Sequence, residues 1–195
     1  AFFFSLASKI PMFPFHIWLP EAHVEAPTVG SVILAGVLLK IGVYGFIRFN
    51  IGLFQDASLF FSPLVSVFAL IGIIFASFTA IRQTDLKRII AYSSIAHMNL
   101  VVLGLFSFNN IGLEGAILQS ISHGFVSGAL FLLVGILYDR YHSRLLTYYG
   151  GLVYTMPIYA GSFLFFTMAN IALPGTSSFI GEFLLLLGVF KYNTI

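Results

Sequence analysis

Five ionisable side chains lie within long apolar stretches of this sequence. A charged side chain at the centre of a bilayer costs about 2.5–3.5 kcal/mol on insertion scales, so a membrane helix keeps one where it has water, a partner or a function. Lysine, histidine and carboxylate groups can each hold and release a proton, and histidine does so near neutral pH. The pattern therefore favours a proton relay inside the membrane, formed by Lys9, Lys40, His97, His123 and Glu182.

The stretch around Lys40 is long enough to cross a bilayer as one helix, from Thr28 to Phe49. A lysine can extend its side chain to the membrane surface, which is the ordinary structural alternative. Lys40 has apolar turns on both sides, so neither surface is within easy reach. We therefore predict a buried lysine with a function.

Both histidines of the set lie on polar stripes of their helices. A lone membrane histidine often only joins two helices, with a hydrogen bond that averages about 0.6 kcal/mol. Two stripes beside a buried lysine and glutamate favour a hydrated relay instead. The polar neighbours are Ser93 and Ser94 for His97, and Gln119, Ser120 and Ser127 for His123.

The composition is that of an integral membrane protein. The 195 residues are 59% hydrophobic and 8% charged, with a mean hydropathy of +1.01 and no cysteine. We expect an all-α fold, a single membrane domain over residues 1–195, and the lipid bilayer as its surroundings. Without cysteine, these residues hold no disulfide or cysteine-bound iron–sulfur cluster. The net charge of +2 comes from scattered residues, so nucleic acid is not an expected partner.

Six membrane segments are predicted, and two of them are broken. The first is interrupted near Pro11 and the last near Pro174, and each break brings a charge, Lys9 or Glu182. Because proline removes a backbone donor, the freed groups need protein or water, as beside the cavities of transporters. The segments are residues 1–15, 28–49, 62–81, 86–106, 113–138 and 156–190.

The loops give an orientation. Basic residues gather on the side that follows the first, third and fifth segments, and the positive-inside rule assigns that side to the matrix or cytoplasm. They are Arg82, Lys87, Arg88, Arg140 and Arg144, against Arg48 and Lys191 on the other side. Asp85 is expected to cap the helix that follows it.

A local group of histidines and carboxylates follows the first segment, in HIWLPEAHVEAP. It could hold a metal, but its prolines and its place between two spans make a structured loop the favoured interpretation. Its residues are His16, Glu21, His23 and Glu25.

Four stretches carry a resemblance to a known family: KIPMFPFHIWLPEAHVEAPTVGSVILAGVLLKIGVYGF, RQTDLKRIIAYSSIAHMNLV, SHGFVSGALFLLVGILYDRYHSR and ANIALPGTSSFIGEF. In order and spacing they resemble the subunit 4 family of respiratory NADH:ubiquinone oxidoreductase, complex I, whose members are antiporter-like proton-pumping membrane subunits. The resemblance covers essentially the whole chain and implies a fragment with helices seven to twelve of an inverted-repeat fold. Its two broken helices are equivalent in that fold. Ala1 lies inside an apolar run without an initiator methionine, which agrees with a piece of a larger subunit.

The resemblance also implies roles for single residues. Lys9 and Lys40 match the lysines of helices seven and eight. His97 and His123 match the histidines of the AHM and SHG motifs, and Glu182 matches the glutamate of broken helix twelve, at one end of the relay.

Further matches concern coupling. Arg144 matches an arginine in YDRYHSR that the family needs for activity. The family's glutamate on helix five, the partner of Lys9, has no counterpart in this chain.

The implied function is proton translocation, coupled to NADH oxidation and ubiquinone reduction elsewhere in the complex. The chain would be an enzyme only as a subunit, with FMN and iron–sulfur clusters in other subunits. Its partners would be other membrane-arm subunits, including antiporter-like neighbours, in the mitochondrial inner membrane or, alternatively, a bacterial plasma membrane. Two other functions stay open: a subunit of a Mrp-type cation/proton antiporter, and a non-conducting structural membrane subunit.

Overall fold

The computed structural model describes residues 2–192, which fold into helices joined by short turns. A 3₁₀ turn at Leu146–Tyr148 follows the longest helix. The helices are α1 (Phe2–Lys9), α2 (Trp18–Glu25), α3 (Thr28–Ile51), α4 (Gln55–Arg82), α5 (Leu86–Leu105), α6 (Asn110–Tyr141), α7 (Leu152–Thr155), α8 (Pro157–Asn170) and α9 (Ser177–Tyr192).

Four helices are long and apolar enough to cross a membrane, namely α3, α4, α5 and α6. The most apolar of the four, α4, is also the least buried, whereas α5 is the least apolar and is more than half buried. The helix with the most exposed surface is thus the one best suited to lipid. The predicted all-α membrane fold is confirmed.

The two predicted breaks are present and divide helices. The α1–α2 break contains Pro11, and its freed carbonyls find donors: the Trp18 indole donates to Ser8 O at 2.9 Å, and the Asn99 amide to Pro11 O at 3.4 Å. In the α8–α9 break, Gly175 has φ +103°, a conformation that favours glycine. There the Ser178 hydroxyl donates to Ala169 O.

One segment boundary and one predicted loop differ from the prediction. Helix α4 begins at Gln55 rather than near Ser62, and Pro63 lies inside it. The segment around His16 and His23, predicted as a loop, contains the helix α2. Pro20 does not prevent this helix, because its missing N–H falls in the first turn, where no intrahelical acceptor exists.

Helix α6 lies at the centre of the bundle and packs against α3, α5, α8 and α9. Small residues permit close approach between these helices, as is common in membranes. A Cβ on Gly115 would lie 2.8 Å from the Leu185 nitrogen of α9, and one on Gly124 would lie 3.2 Å from Gly36 O of α3. These contacts bring polar side chains of α6 within reach of both neighbours.

One end of the bundle gathers the predicted basic loops. The Leu86 N–H donates to Arg144 O at 3.0 Å, so the turn after α4 lies beside the turn after α6. Arg88 also lies 3.3 Å from Glu21 of α2. Asp85 precedes α5, but its side chain makes no capping bond and instead lies 3.6 Å from Arg88. The capping prediction for Asp85 was therefore wrong.

Candidate functional site

Lys40 and His123 form a direct pair between α3 and α6. The Lys40 ammonium nitrogen lies 2.9 Å from His123 Nδ1 and donates to Ala35 O at 2.7 Å. A lysine ammonium only donates, so His123 accepts at Nδ1 and carries its own proton on Nε2. If the proton moves across, the amine accepts from Nδ1–H. One bond thus joins two groups that can exchange a proton.

A π turn in α3 supplies the second acceptor of Lys40. Residues Leu34–Leu38 form this turn, and the Leu39 N–H donates to Leu34 O, five residues back. In a regular α helix the same N–H would donate to Ala35 O. The Ala35 carbonyl instead accepts from the Lys40 side chain. Such turns inside α helices are frequent at functional sites.

Glu182 pairs with His97 and Gln119. His97 Nδ1 lies 2.8 Å from Glu182 Oε1, and the Gln119 amide donates to the same oxygen at 3.0 Å. These residues come from α9, α5 and α6, and the His97 and Glu182 side chains are 18% and 22% exposed. The sequence predicts that Glu182 faces the bundle interior and connects by water toward His123. Glu182 does lie inside the bundle, and its direct contacts are His97 and Gln119.

The two pairs lie side by side. The His97 and His123 ring centroids are 5.6 Å apart, with the ring planes tilted by 53°. His123 Nε2 is buried without a hydrogen-bond partner among the described residues. Each histidine thus uses Nδ1 for its pair, which leaves its Nε2 for another partner. One water can bridge two rings at this separation.

The serines of the two stripes mostly bond to their own helices. The Ser127 hydroxyl donates to His123 O at 2.6 Å, and Ser94 donates to Ile90 O at 3.0 Å. Ser120 likewise donates to Ala116 O. Ser93 differs, because it also accepts from the Asn170 amide, at 3.4 Å. The hydroxyl oxygens keep lone pairs for water, and whether the stripes are hydrated stays a prediction.

Lys9 lies apart from this group. It is the last residue of α1, and its side chain is exposed and makes no hydrogen bond within residues 2–192. The nearby break is held by Asn99, which is fully buried and has its Oδ1 unpartnered within the same residues. The sequence analysis did not select Asn99. The signal that could have found it is its amide side chain on the same face as Ile95 in a largely apolar helix.

Arg144 and Lys87 bind the carboxyl end of α2. Arg144 donates to Val24 O at 2.6 Å and lies 4.7 Å from the centre of the Tyr138 ring. Lys87 is 2% exposed and donates to Ala26 O at 2.8 Å. Cations at a helix carboxyl terminus complement its unpaired carbonyls. The burial of Lys87 was also missed, because the sequence places it in a charged turn.

The histidines and carboxylates around α2 do not converge on one point. His23 is fully buried and stacks on Phe131 with the ring centroids 4.3 Å apart. His16 instead lies against Phe75 and Phe13. Within residues 2–192 no group of three histidine or acidic side chains could hold a metal ion.

Comparisons with known proteins extend over the whole chain. The family model described as "NADH:quinone oxidoreductase/Mrp antiporter, TM" matches residues 1–195. NADH-ubiquinone oxidoreductase chain 4 of Marchantia polymorpha is 63% identical over 195 residues, which are 100% of this chain and 39% of that protein. The chain thus spans about two fifths of the length of such relatives.

Two solved structures share the fold. Respiratory complex I from Thermus thermophilus with bound NADH contains a chain that is 34% identical, with a TM-score of 0.94, over 99% of this chain and 41% of that one. The Mrp complex from Dietzia sp. contains one that is 26% identical, with a TM-score of 0.92, over 98% and 36% of the two chains.

Proposed function

The chain belongs to the family of transmembrane proteins described as NADH:quinone oxidoreductase/Mrp antiporter, and we propose that it forms the proton-translocating centre of an antiporter-like subunit of respiratory NADH:ubiquinone oxidoreductase. The contact that carries this proposal is the 2.9 Å bond between Lys40 Nζ and His123 Nδ1, inside an apolar bundle. The adjacent His97–Glu182 pair extends it to four protonatable groups on four helices.

The proton path follows from the ring nitrogens. The Lys40 ammonium gives its proton to His123 Nδ1 and becomes a neutral amine. His123 then releases its Nε2 proton toward His97, which accepts it at its own Nε2. His97 finally releases its Nδ1 proton to Glu182 Oε1. Each histidine accepts at one nitrogen and donates from the other, so one proton moves from Lys40 to Glu182 without a net charge left on either ring.

Lys9 and Arg144 are not among the four residues of this path. We assign Lys9 to the same relay, facing helices of a longer protein, since its side chain is exposed in this chain. Arg144 would act on coupling by holding α2, and with it the broken helix that carries Lys9 and Pro11. Pro174 would keep the second break open beside Glu182.

The redox chemistry is placed elsewhere. NADH oxidation and ubiquinone reduction, with FMN and the iron–sulfur clusters, belong to other subunits of the complex in this proposal. The partners of the chain are other membrane-arm subunits, and its location is the mitochondrial inner membrane. The high identity to a relative named NADH-ubiquinone oxidoreductase chain 4 supports this assignment.

A subunit of a Mrp-type antiporter is the second candidate, supported by the TM-score of 0.92 to a chain of the Dietzia complex. The lower identity, 26% against 63%, favours the respiratory assignment. Purification of the native assembly separates the two, because only the respiratory complex oxidises NADH with quinone.

The deciding experiment is Lys40→Ala in the assembled complex, reconstituted in vesicles and supplied with NADH and quinone. Alanine favours helix, so assembly should be retained. We expect at least a tenfold loss of proton uptake, about 1.4 kcal/mol or more in barrier. Lys191→Ala, at an exposed position of α9, is the matched control. Full proton uptake by an assembled Lys40→Ala complex would reject the relay and favour the non-conducting structural subunit.

A further inference from the structure

Gln119 is a buried amide that the proton path above does not use. It is 1% exposed and lies on α6, one turn before His123. Its amide nitrogen donates to Glu182 Oε1 at 3.0 Å. A buried amide without partners would be unfavourable, so these bonds fix its orientation as well as that of its partner.

Glu182 fixes the orientation of the amide. A flipped amide would place two oxygens, one of them a carboxylate oxygen, against each other, so the NH₂ group faces Glu182. The Ser122 hydroxyl lies 3.3 Å from Gln119 Oε1 and 3.2 Å from Gln119 O, and it can donate to either oxygen.

The backbone brings Glu182 to this amide. Gly181 precedes Glu182 on α9, and a Cβ at Gly181 would lie 2.6 Å from Gln119 Oε1 and 3.0 Å from Gln119 Cα. Only a residue without a side chain allows α9 to approach α6 this closely. The close approach places the glutamate carboxylate beside Gln119 and within 2.8 Å of His97.

We infer that Gln119 is a positioning residue for Glu182: its amide holds Oε1 at the place where the His97 Nδ1 proton arrives. The carboxylate oxygen then accepts two hydrogen bonds in fixed directions, one from the amide and one from the imidazole. This inference rests on the proposed function, because it assigns Gln119 a part in the same proton transfer.

The test uses the assembled complex and the substitution Gln119→Met, which keeps the length of the side chain but removes the amide. We expect about a tenfold loss of proton uptake in vesicles supplied with NADH and quinone. Gln83→Met is the matched control, since Gln83 lies at the end of α4 and its side chain makes no hydrogen bond within residues 2–192. Equal uptake by Gln119→Met and wild type would overturn the inference.

Infrared difference spectra measure the frequency of the Glu182 carboxyl band. This frequency would not change if Gln119 only supported the packing of the helices. The carboxyl band that disappears in Glu182→Gln belongs to Glu182. In Gln119→Met this band should shift to higher frequency, because its oxygen loses a hydrogen bond. An unmoved band contradicts the inference. If Gln119→Met does not assemble, Gln119→Leu replaces it, because leucine also removes the amide, and the expected shift is the same.

A double-mutant cycle separates this inference from the proposed function. If Gln119 acts through Glu182, adding Gln119→Met to Glu182→Gln causes no further loss of uptake, whereas a further loss contradicts it. Normal uptake by Glu182→Gln alone would reject Glu182 in the relay and hence the proposed function. Impaired Glu182→Gln with unimpaired Gln119→Met would reject only the role of Gln119.

Discussion

Arg144 donates a hydrogen bond to the carbonyl oxygen of Val24, 2.6 Å away, across 120 residues of sequence. The contact joins the turn after α6 to the carboxyl end of α2. Helix α6 contains His123, and α2 follows the break after Lys9. The Arg144 guanidinium therefore connects the helix of the Lys40–His123 pair to the broken helix. This contact is the basis of the coupling role proposed for Arg144.

We expect Arg144→Leu to loosen α2 and lower proton-coupled quinone reduction. The substitution removes a charge-assisted hydrogen bond, a class worth about 1.5–3 kcal/mol, and the contact with the Tyr138 ring. Hydrogen exchange of the peptide over residues 18–27 should become faster. Arg140→Leu is the control, because Arg140 is exposed and contacts Met156 Sδ instead. Unchanged exchange in Arg144→Leu would contradict a role in holding α2.

Glu182→Gln should abolish most proton uptake while the complex still assembles. Glutamine keeps the volume and a carbonyl oxygen for the bonds from His97 and Gln119, but it cannot accept and release a proton. The measurement is vesicle acidification with NADH and quinone, beside the amount of assembled complex. A Glu182→Gln complex that pumps at the wild-type rate would remove Glu182 from the relay.

We predict an ordered water at His123 Nε2. This nitrogen is buried and has no partner within residues 2–192, although buried polar atoms are generally hydrogen-bonded. A buried water needs two to four polar partners, and His97 lies within reach of the same space. A density map at a resolution that shows waters would test this. Dry apolar packing around His123 would instead assign the residue to joining helices.

Gly181→Ala should displace α9 from α6. The added methyl group would lie 2.6 Å from Gln119 Oε1, and overpacking of this kind costs about 1–3 kcal/mol. We expect a lower unfolding temperature and a weaker Glu182–Gln119 contact. Gly161→Ala in α8 is the control, because a Cβ there meets nothing within 4 Å. Equal unfolding temperatures for the two variants would show that α9 adjusts without strain.

The sequence was sufficient for the order of the membrane-spanning segments and for the two breaks. Apolar run length predicts spans, and prolines predict breaks, because both effects are local. For the same reason Lys40 and His123 could be chosen as candidates. Their 2.9 Å contact could not be predicted, since it depends on how closely α3 approaches α6 at Gly36 and Gly124.

The pairing of Glu182 shows the same limit. The sequence predicts that Glu182 faces the interior. The interior face of α6 extends over several turns, so the register of α9 on α6 decides which side chain Glu182 contacts. That register is fixed by Gly181 against Gln119, so Glu182 contacts His97 rather than His123. Helix α2 was missed for a different reason. A proline predicts a helix end unless it lies in the first turn, and the sequence did not show that Pro20 lies in the first turn of α2.

The π turn at Leu34–Leu38 has a consequence for how the length of this segment can vary. A π turn accommodates about one residue more than an α turn over a similar rotation, so the helices on both sides keep their faces. Deletion of one residue between Leu34 and Leu38 would restore regular winding and return the Ala35 carbonyl to a backbone N–H. Lys40 would lose an acceptor although every ionisable residue was still present. Insertions and deletions in these five positions should therefore be more damaging than most substitutions there, and an aligned relative with a gap at this turn should hold its lysine differently.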